Sequence, residues 1–159
     1  MELPLEPLEQ LFKDARAPLI SYANSLVMNE EDAKDVVQEV FTECFTERRL
    51  VNRAYLFRSV RNRSFNRMRG RARLNNFLGR LKVLLPLSQP FEKEDSPHLR
   101  VDEAMQRLPQ KQREVLTLRI KNELSISEVA LVLGVPEGTV KSRINAAIGQ
   151  LRATLGSME

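Results

Sequence analysis

The residues whose types and spacing could do chemistry cluster in three places, the clearest being Ser125 to Arg143, which reads SISEVALVLGVPEGTVKSR. Within and just beyond it, Thr139, Lys141, Ser142, Arg143 and Asn145 open the second of two short predicted helices. Lysine donates to guanine edges, asparagine bonds adenine bidentately, and threonine and arginine reach phosphate oxygens. The chemistry is recognition of a duplex, with no bond made or broken. An ordinary helical hairpin with a solvated polar face would use some of the same residues. Against it stand Ala130, small where two helices must cross, and Gly134, which permits a left-handed turn between them.

The second place is the stretch from Ala54 to Arg69, AYLFRSVRNRSFNRMR, where arginines alternate with aromatics and amides. Cationic grooves with stacking surfaces suit nucleic-acid strands. The third is Asp35 to Thr42, DVVQEVFT. Helical spacing turns Val36, Val37, Val40 and Phe41 inward and leaves Asp35, Gln38, Glu39 and Thr42 displayed together. Alone, that face reads more readily as an ordinary solvated one. Enzyme chemistry finds no foothold. One histidine, His98, and one cysteine, Cys44, leave no metal cluster, no disulfide framework and no nucleophile with its base, and no glycine-rich phosphate loop occurs. No metal or cofactor is expected. Cys44 falls on an apolar face, where packing outweighs redox chemistry.

These residues must be positioned by helices, because long segments follow a 3.6-residue period and none alternates as a strand does. Leu8, Leu11, Phe12, Ala15, Leu19, Tyr22, Ala23 and Leu26 form a first apolar stripe, with a kink or boundary expected near Ala17 because of Pro18. Asn29 is a suitable N-cap for a second helix carrying Ala33, Val36, Val37, Val40, Phe41, Cys44 and Phe45. A third is expected from about Asn52 to Arg69, burying Leu56, Phe57, Val60, Phe65 and Met68 and stopping at Gly70. Residues 74–97 hold Pro86, Pro90 and Pro97 and read as a linker, apolar over Leu81–Leu87 and acidic over Glu92–Asp95. Helices are expected at 99–107, from Gln110 to about Lys121, and around 126–133 and 136–155. The fold class is therefore all-α: two small helical domains joined by a flexible linker, the second ending in a helix-turn-helix.

The chain has 159 residues and a formal net charge of +4. That mild figure hides a sharp asymmetry. Residues 1–50 carry 11 acids against 5 bases, residues 51–100 carry 12 bases against 3 acids, and no acid occurs between Arg48 and Phe91. Such a block repels itself unless a polyanion meets it. There is no basic, apolar leader at Met1–Pro7 and no run long enough to span a bilayer, so a soluble, cytosolic protein without membrane insertion is expected.

The order of these motifs resembles bacterial RNA polymerase sigma factors of the extracytoplasmic-function (ECF) group of the sigma-70 family. The resemblance rests on the acidic, glutamine-containing helix Asp35 to Phe41, then Tyr55, Leu56 and Asn62. It continues with Leu108, Pro109, Gln112, Arg113, Leu118 and Arg119, and ends in the GTVKSR run of residues 138–143. It covers nearly the whole chain. Departures are Tyr55 where the family often has Trp, and Asn66 where it often has Asp.

What the resemblance implies is an alternative sigma factor: 1–73 binding core, reading the −10 element and melting DNA, 74–97 as linker, 98–159 reading the −35 element. Asp35, Gln38, Glu39 and Thr42 would dock on a basic coiled coil of RNA polymerase core. Arg53, Tyr55, Arg58, Arg61, Asn62, Asn66 and Arg69 would serve the −10 region, Arg63 and Arg67 being further phosphate contacts. The loop from about Glu47 to Arg53 would hold an extruded base. Tyr55, by its spacing with Phe57, is as readily a core residue as a stacking one. Thr139, Lys141, Ser142, Arg143 and Asn145 would read the −35 element. Promoter DNA, RNA polymerase core and an anti-sigma factor are the implied partners. Rival readings are a sigma mimic that sequesters an anti-sigma factor, and a LuxR-like regulator. The first should have lost the arginines and the polar recognition helix; the second should carry a sensor or receiver domain in place of a short basic half.

Overall fold

The structure is a computed structural model that describes residues 7–82 and 97–157. It divides into two compact units, Met1–Pro86 and Leu87–Glu159, and all described regular elements are helical.

The first unit packs α1 (Leu8–Val27), α2 (Glu30–Thr46) and α3 (Arg53–Lys82) against one another. Two residues join α1 to α2. Met28 takes the left-handed conformation (φ 54°) and returns its N–H to the Asn24 carbonyl at 2.8 Å. Asn29 then caps α2, its side chain accepting from the Asp32 N–H at 3.0 Å, while Glu30, Glu31 and Asp32 favour the positive end of the helix dipole. The expected stripes meet in the core: Leu11, Ala15, Leu19 and Tyr22 from α1, Val36, Val37, Val40 and Phe41 from α2, and Leu56, Phe57 and Val60 from α3 are buried. The Tyr22 and Phe57 rings lie 5.5 Å apart, and Phe12 meets Phe41 edge-on at 4.3 Å. Val27 is buried where Leu26 was expected, Ser64 where Phe65 was, and Phe45 is about half exposed.

Two helix-boundary expectations are corrected. Pro18 lies inside an unbroken α1. Its missing N–H forgoes one bond to the Asp14 carbonyl, but Ala15 and Leu19 on either side are buried, so packing outweighs that loss. Gly70 does not stop α3, which runs on to Lys82. Gly70 does not take a left-handed φ, and nothing lies within 4 Å of where its Cβ would be. An exposed helical glycine costs only about 1 kcal/mol against alanine, and no proline follows until Pro86. Arg71 pins the continuation, reaching the Asp32 carboxylate and the Val27 carbonyl, the latter at 3.5 Å. The linker expected over 74–97 is thus helical at both its ends. Residues 83–96, with most of the Leu81–Leu87 stretch and the acids Glu92–Asp95, lie outside the described residues, as does the side chain of His98. It follows that Gly70→Ala should stabilise the first unit by about 0.5–1 kcal/mol. Urea unfolding followed by tyrosine fluorescence checks this; a destabilised variant would mean that Gly70 serves as a terminator after all.

The second unit contains α4 (Pro97–Arg107), α5 (Gln110–Leu116) running directly into a π-helical turn (Thr117–Lys121), α6 (Ile126–Leu133) and α7 (Glu137–Ser157). Asn122 closes the π turn by donating its backbone N–H and its side-chain amide to the Thr117 carbonyl, at 3.1 and 3.0 Å. Leu108, Leu116 and Ala147 form a core joined by Met105, Ile144, Ile148 and Leu151. Ser125 and Glu128 complete a capping box at the start of α6. Gly134, at φ 67°, ends that helix by donating to the Ala130 carbonyl at 2.9 Å. Val129 and Val140 are fully buried in α6 and α7, Ala130 and Val132 are buried as well, and Leu133, Val135, Ile144 and Ile148 are half-buried.

Candidate nucleic-acid interface and docking face

The arginines of α3 are indistinguishable by type, and α2 sorts them. Arg63, Arg67 and Arg71 recur every four residues and so share one side of the helix. All three meet carboxylates of α2. Arg67 reaches Glu39 at 2.8 Å, Asp32 at 3.4 Å and Asp35 at 3.7 Å. Arg63 pairs with Glu39 at 3.4 Å and more closely with Glu43, and Arg71 pairs with Asp32. Each pair is partly exposed and individually worth little, but here they form a connected network that locks α2 to α3. Arg63 and Arg67 are therefore not among the free phosphate contacts. They are spent within the protein.

Of the residues expected to dock, Gln38, Glu39 and Thr42 line one open groove of about 360 Å³ with Glu43, Thr46, Glu47 and Arg63. Thr42 donates its hydroxyl to the Gln38 carbonyl at 2.8 Å, which leaves the Gln38 amide turned along the exposed helix face. Asp35 lies one turn away and is 70% exposed in its side chain. The acids at the far end of this groove, Glu43 and Glu47, continue the four-residue spacing of Asp35 and Glu39, and that spacing was the signal by which they could have been found.

On the opposite side of α3, Arg58, Asn62, Asn66 and Arg69 are exposed and meet no carboxylate among the described residues. Arg69 donates to the Asn66 side chain. Arg61 lies over the Phe65 ring, 4.7 Å from its centre, a cation–π contact that fixes its stem. Arg53 is half-buried at the start of the helix. Tyr55 is neither a core residue nor a free one. It is half-buried, its N–H donates to the Asn52 side chain at 2.9 Å, and its hydroxyl accepts from Arg49 at 2.7 Å. Arg49 also pairs with Glu47. The hydrogen bond to Tyr55, and next the Glu47 carboxylate, hold its guanidinium pKa above the usual range. This bracing shapes the loop before α3, in which Arg48 is left-handed (φ 49°), Val51 is buried and Leu50 is 80% exposed. Cys44 is buried on the inner face of α2, and burial pushes its thiol pKa up, which favours the neutral, unreactive form.

In α7, Lys141, Ser142 and Asn145 are exposed on one face, while Thr139 and Arg143 are half-buried at its margins. Ser142 donates to the Thr139 carbonyl at 3.0 Å. Lys141, Arg143 and Asn145 have no polar partner among the described residues, so their donors remain available. Val140 and Ala147 anchor the reverse of the helix in the core. The first unit thus carries one acidic surface and one polar, cationic surface, and the second unit carries one polar, cationic surface. Among the described residues no group of three or more His, Cys, Asp or Glu could hold a metal ion, and no helix is long and apolar enough to cross a membrane.

The chain is similar to known proteins over most of its length. Residues 98–151 match the family described as sigma-70, region 4. The chain is 30% identical over 154 residues to the ECF RNA polymerase sigma factor SigL of Mycobacterium tuberculosis, covering 91% of this chain and 86% of that relative. It is 35% identical over 152 residues to the ECF RNA polymerase sigma factor EcfG of Rhodopseudomonas palustris, covering 86% and 78%. Its fold is similar to that of the sigma factor RpoE solved in complex with the anti-sigma factor NepR from Bartonella quintana. There the TM-score is 0.70 at 23% identity, over 93% of this chain and 96% of that one.

Proposed function

The chain belongs to the extracytoplasmic-function group of RNA polymerase sigma factors, and from that premise we propose how its surfaces divide the work. It is an alternative sigma factor that directs transcription initiation; sigma factors are not enzymes, and we read no catalytic step into this chain. The acidic groove of α2, with Asp35, Gln38, Glu39 and Thr42, docks on a cationic element of RNA polymerase core. Complementary charge there speeds encounter and fixes register. The outward row of α3, with Arg58, Asn62, Asn66 and Arg69, contacts the −10 element: the asparagines read base edges and the arginines hold phosphates. Arg53 and Arg61 support the same surface from its flanks.

Melting a duplex costs a few kcal/mol per unstacked base, so the opened strand must be captured. The loop from Glu47 to Arg53, braced by Arg49 and Tyr55, is our candidate for that capture. Thr139, Lys141, Ser142, Arg143 and Asn145 at the start of α7 read the −35 element in the major groove. Promoter DNA and polymerase core are the partners, an anti-sigma factor is a third that membership of the group implies, and the protein acts in the cytoplasm. The observation that carries the reading is the sorting of α3: its inward arginines are neutralised by α2, and its outward row is left to an external polyanion. That retained row, together with the polar face of α7, weighs against a sigma mimic.

Run-off transcription from a randomised promoter library, using purified core with and without this chain, tests the proposal. The chain should select templates sharing two spaced elements. Lys141→Ala and Asn145→Ala should each relax selection at one or two −35 positions, worth about 1–3 kcal/mol per lost base contact, and leave −10 selection unchanged. A selected −35 sequence identical to that of the unaltered chain in both variants would remove α7 from that role.

A further inference from the structure

We propose that the outward row of α3 continues past the −10-reading residues as a phosphate-tracking edge for double-stranded DNA, with Arg73 as its principal contact. The inference rests on the DNA-binding reading above and extends it to a surface that reading leaves unassigned. Had the helix ended at Gly70, Arg73 would lie in a connecting segment of no fixed direction. Instead α3 is a single rod of 30 residues, about 45 Å long.

On that rod Asn62, Asn66, Arg69 and Arg73 follow steps of four, three and four residues, which hold them on one side of a helix. Arg63, Arg67 and Arg71 occupy the other side, where Asp32, Asp35, Glu39 and Glu43 neutralise them. Arg73 is exposed and has no polar partner among the described residues. No acid within the chain segment from Arg48 to Phe91 could supply one locally.

The row also changes character along its length. Its first turns carry Tyr55, Asn62 and Asn66, which can stack on or read bases. Its continuation carries arginines, which hold phosphates as fixed charges. Arg73 lies about 16 Å beyond Asn62 along the axis. The loop that suits an opened strand is at the opposite end of α3, so the continuation points toward DNA that is still paired. The chemistry is that of a regular phosphate backbone, read without regard to sequence, immediately upstream of the −10 element. The inner ion pairs, Arg71 with Asp32 above all, supply the rigidity that such tracking needs.

The test uses full-length chain assembled with polymerase core and Arg73→Gln, which keeps helix propensity and removes only charge. Promoter binding is measured between 50 and 200 mM salt, on a template with intact upstream duplex and on one truncated just upstream of the −10 element. On the intact template Arg73→Gln should lower the salt slope by about 1, so that its deficit relative to the unaltered chain narrows by roughly 3–4-fold across that salt range. The deficit should be the same for any sequence of the upstream duplex, and it should vanish on the truncated template. An unchanged slope on the intact template overturns the inference. So does a deficit that persists after truncation, or one seen in binding of core without DNA, since either assigns Arg73 to polymerase or to the opened strand. If the unaltered holoenzyme forms no promoter complex at all, the parent reading falls and this one with it, an outcome distinct from a selective failure of Arg73.

Discussion

Replacing Asp35 and Glu39 together by lysine should lower core-dependent transcription by at least about 100-fold. Each substitution removes an attraction to a cationic partner and adds a repulsion, and losing one member of a close interfacial charge pair commonly costs 2–5 kcal/mol. The ion-pair network adds a complication that points to a control. Asp35 and Glu39 also neutralise Arg67, and Glu39 reaches Arg63, so the double reversal places four cations together at 2.8–3.7 Å contacts that were attractive. Adding Arg67→Glu restores opposite charge within the protein without restoring the acidic docking surface. The triple variant should regain part of the lost stability, because Asp32 and Arg63 keep their charges beside the altered positions, and still fail to co-purify with core. If it recovers core binding, the acids serve the α2–α3 contact and not the polymerase. If the double variant already binds core normally, the docking assignment is wrong.

Phe57→Ala should be the most damaging single substitution for the first unit, at about 3–5 kcal/mol. The ring is fully buried where α1, α2 and α3 meet, and it packs against Tyr22. Its ring partner Tyr22 is itself fully buried, so the space would open inside the core and not at its edge. The two tyrosines of the chain, Tyr22 and Tyr55, both lie in the first unit. Tyrosine fluorescence therefore reports that unit alone, whereas far-ultraviolet circular dichroism reports both. The variant should lose the tyrosine-detected transition at a much lower denaturant concentration while part of the helical signal persists to the normal midpoint. Phe57→Leu, which keeps most of the volume, should cost far less. Coincident midpoints for the alanine variant and the unaltered chain would contradict the central place given to this ring.

Helical class, the two-part organisation and the polar opening of α7 were legible from the residues alone. They rest on local preferences: the 3.6-residue recurrence of apolar side chains, the Asn29 cap, and the left-handed turn that Gly134 accepts. The helix faces that carry the proposed docking and recognition residues were legible for the same reason, since residues three or four apart must share a face wherever the helix packs. What the sequence by itself could not decide was the use made of each charge and each helix breaker. Arg63 and Arg67 look like Arg58 and Arg69 in composition and spacing. They differ only because Glu39 and Asp32, 24 and 35 residues away in the chain, come to face them. Pro18 and Gly70 likewise weaken a helix in isolation, yet buried neighbours on either side of Pro18 and the anchoring of Arg71 beyond Gly70 outweigh that local cost. Local periodicity thus determined which surfaces exist, and only the packing of α2 against α3 decided which cations are neutralised within the protein, because pairing between distant charges is a property of tertiary contact.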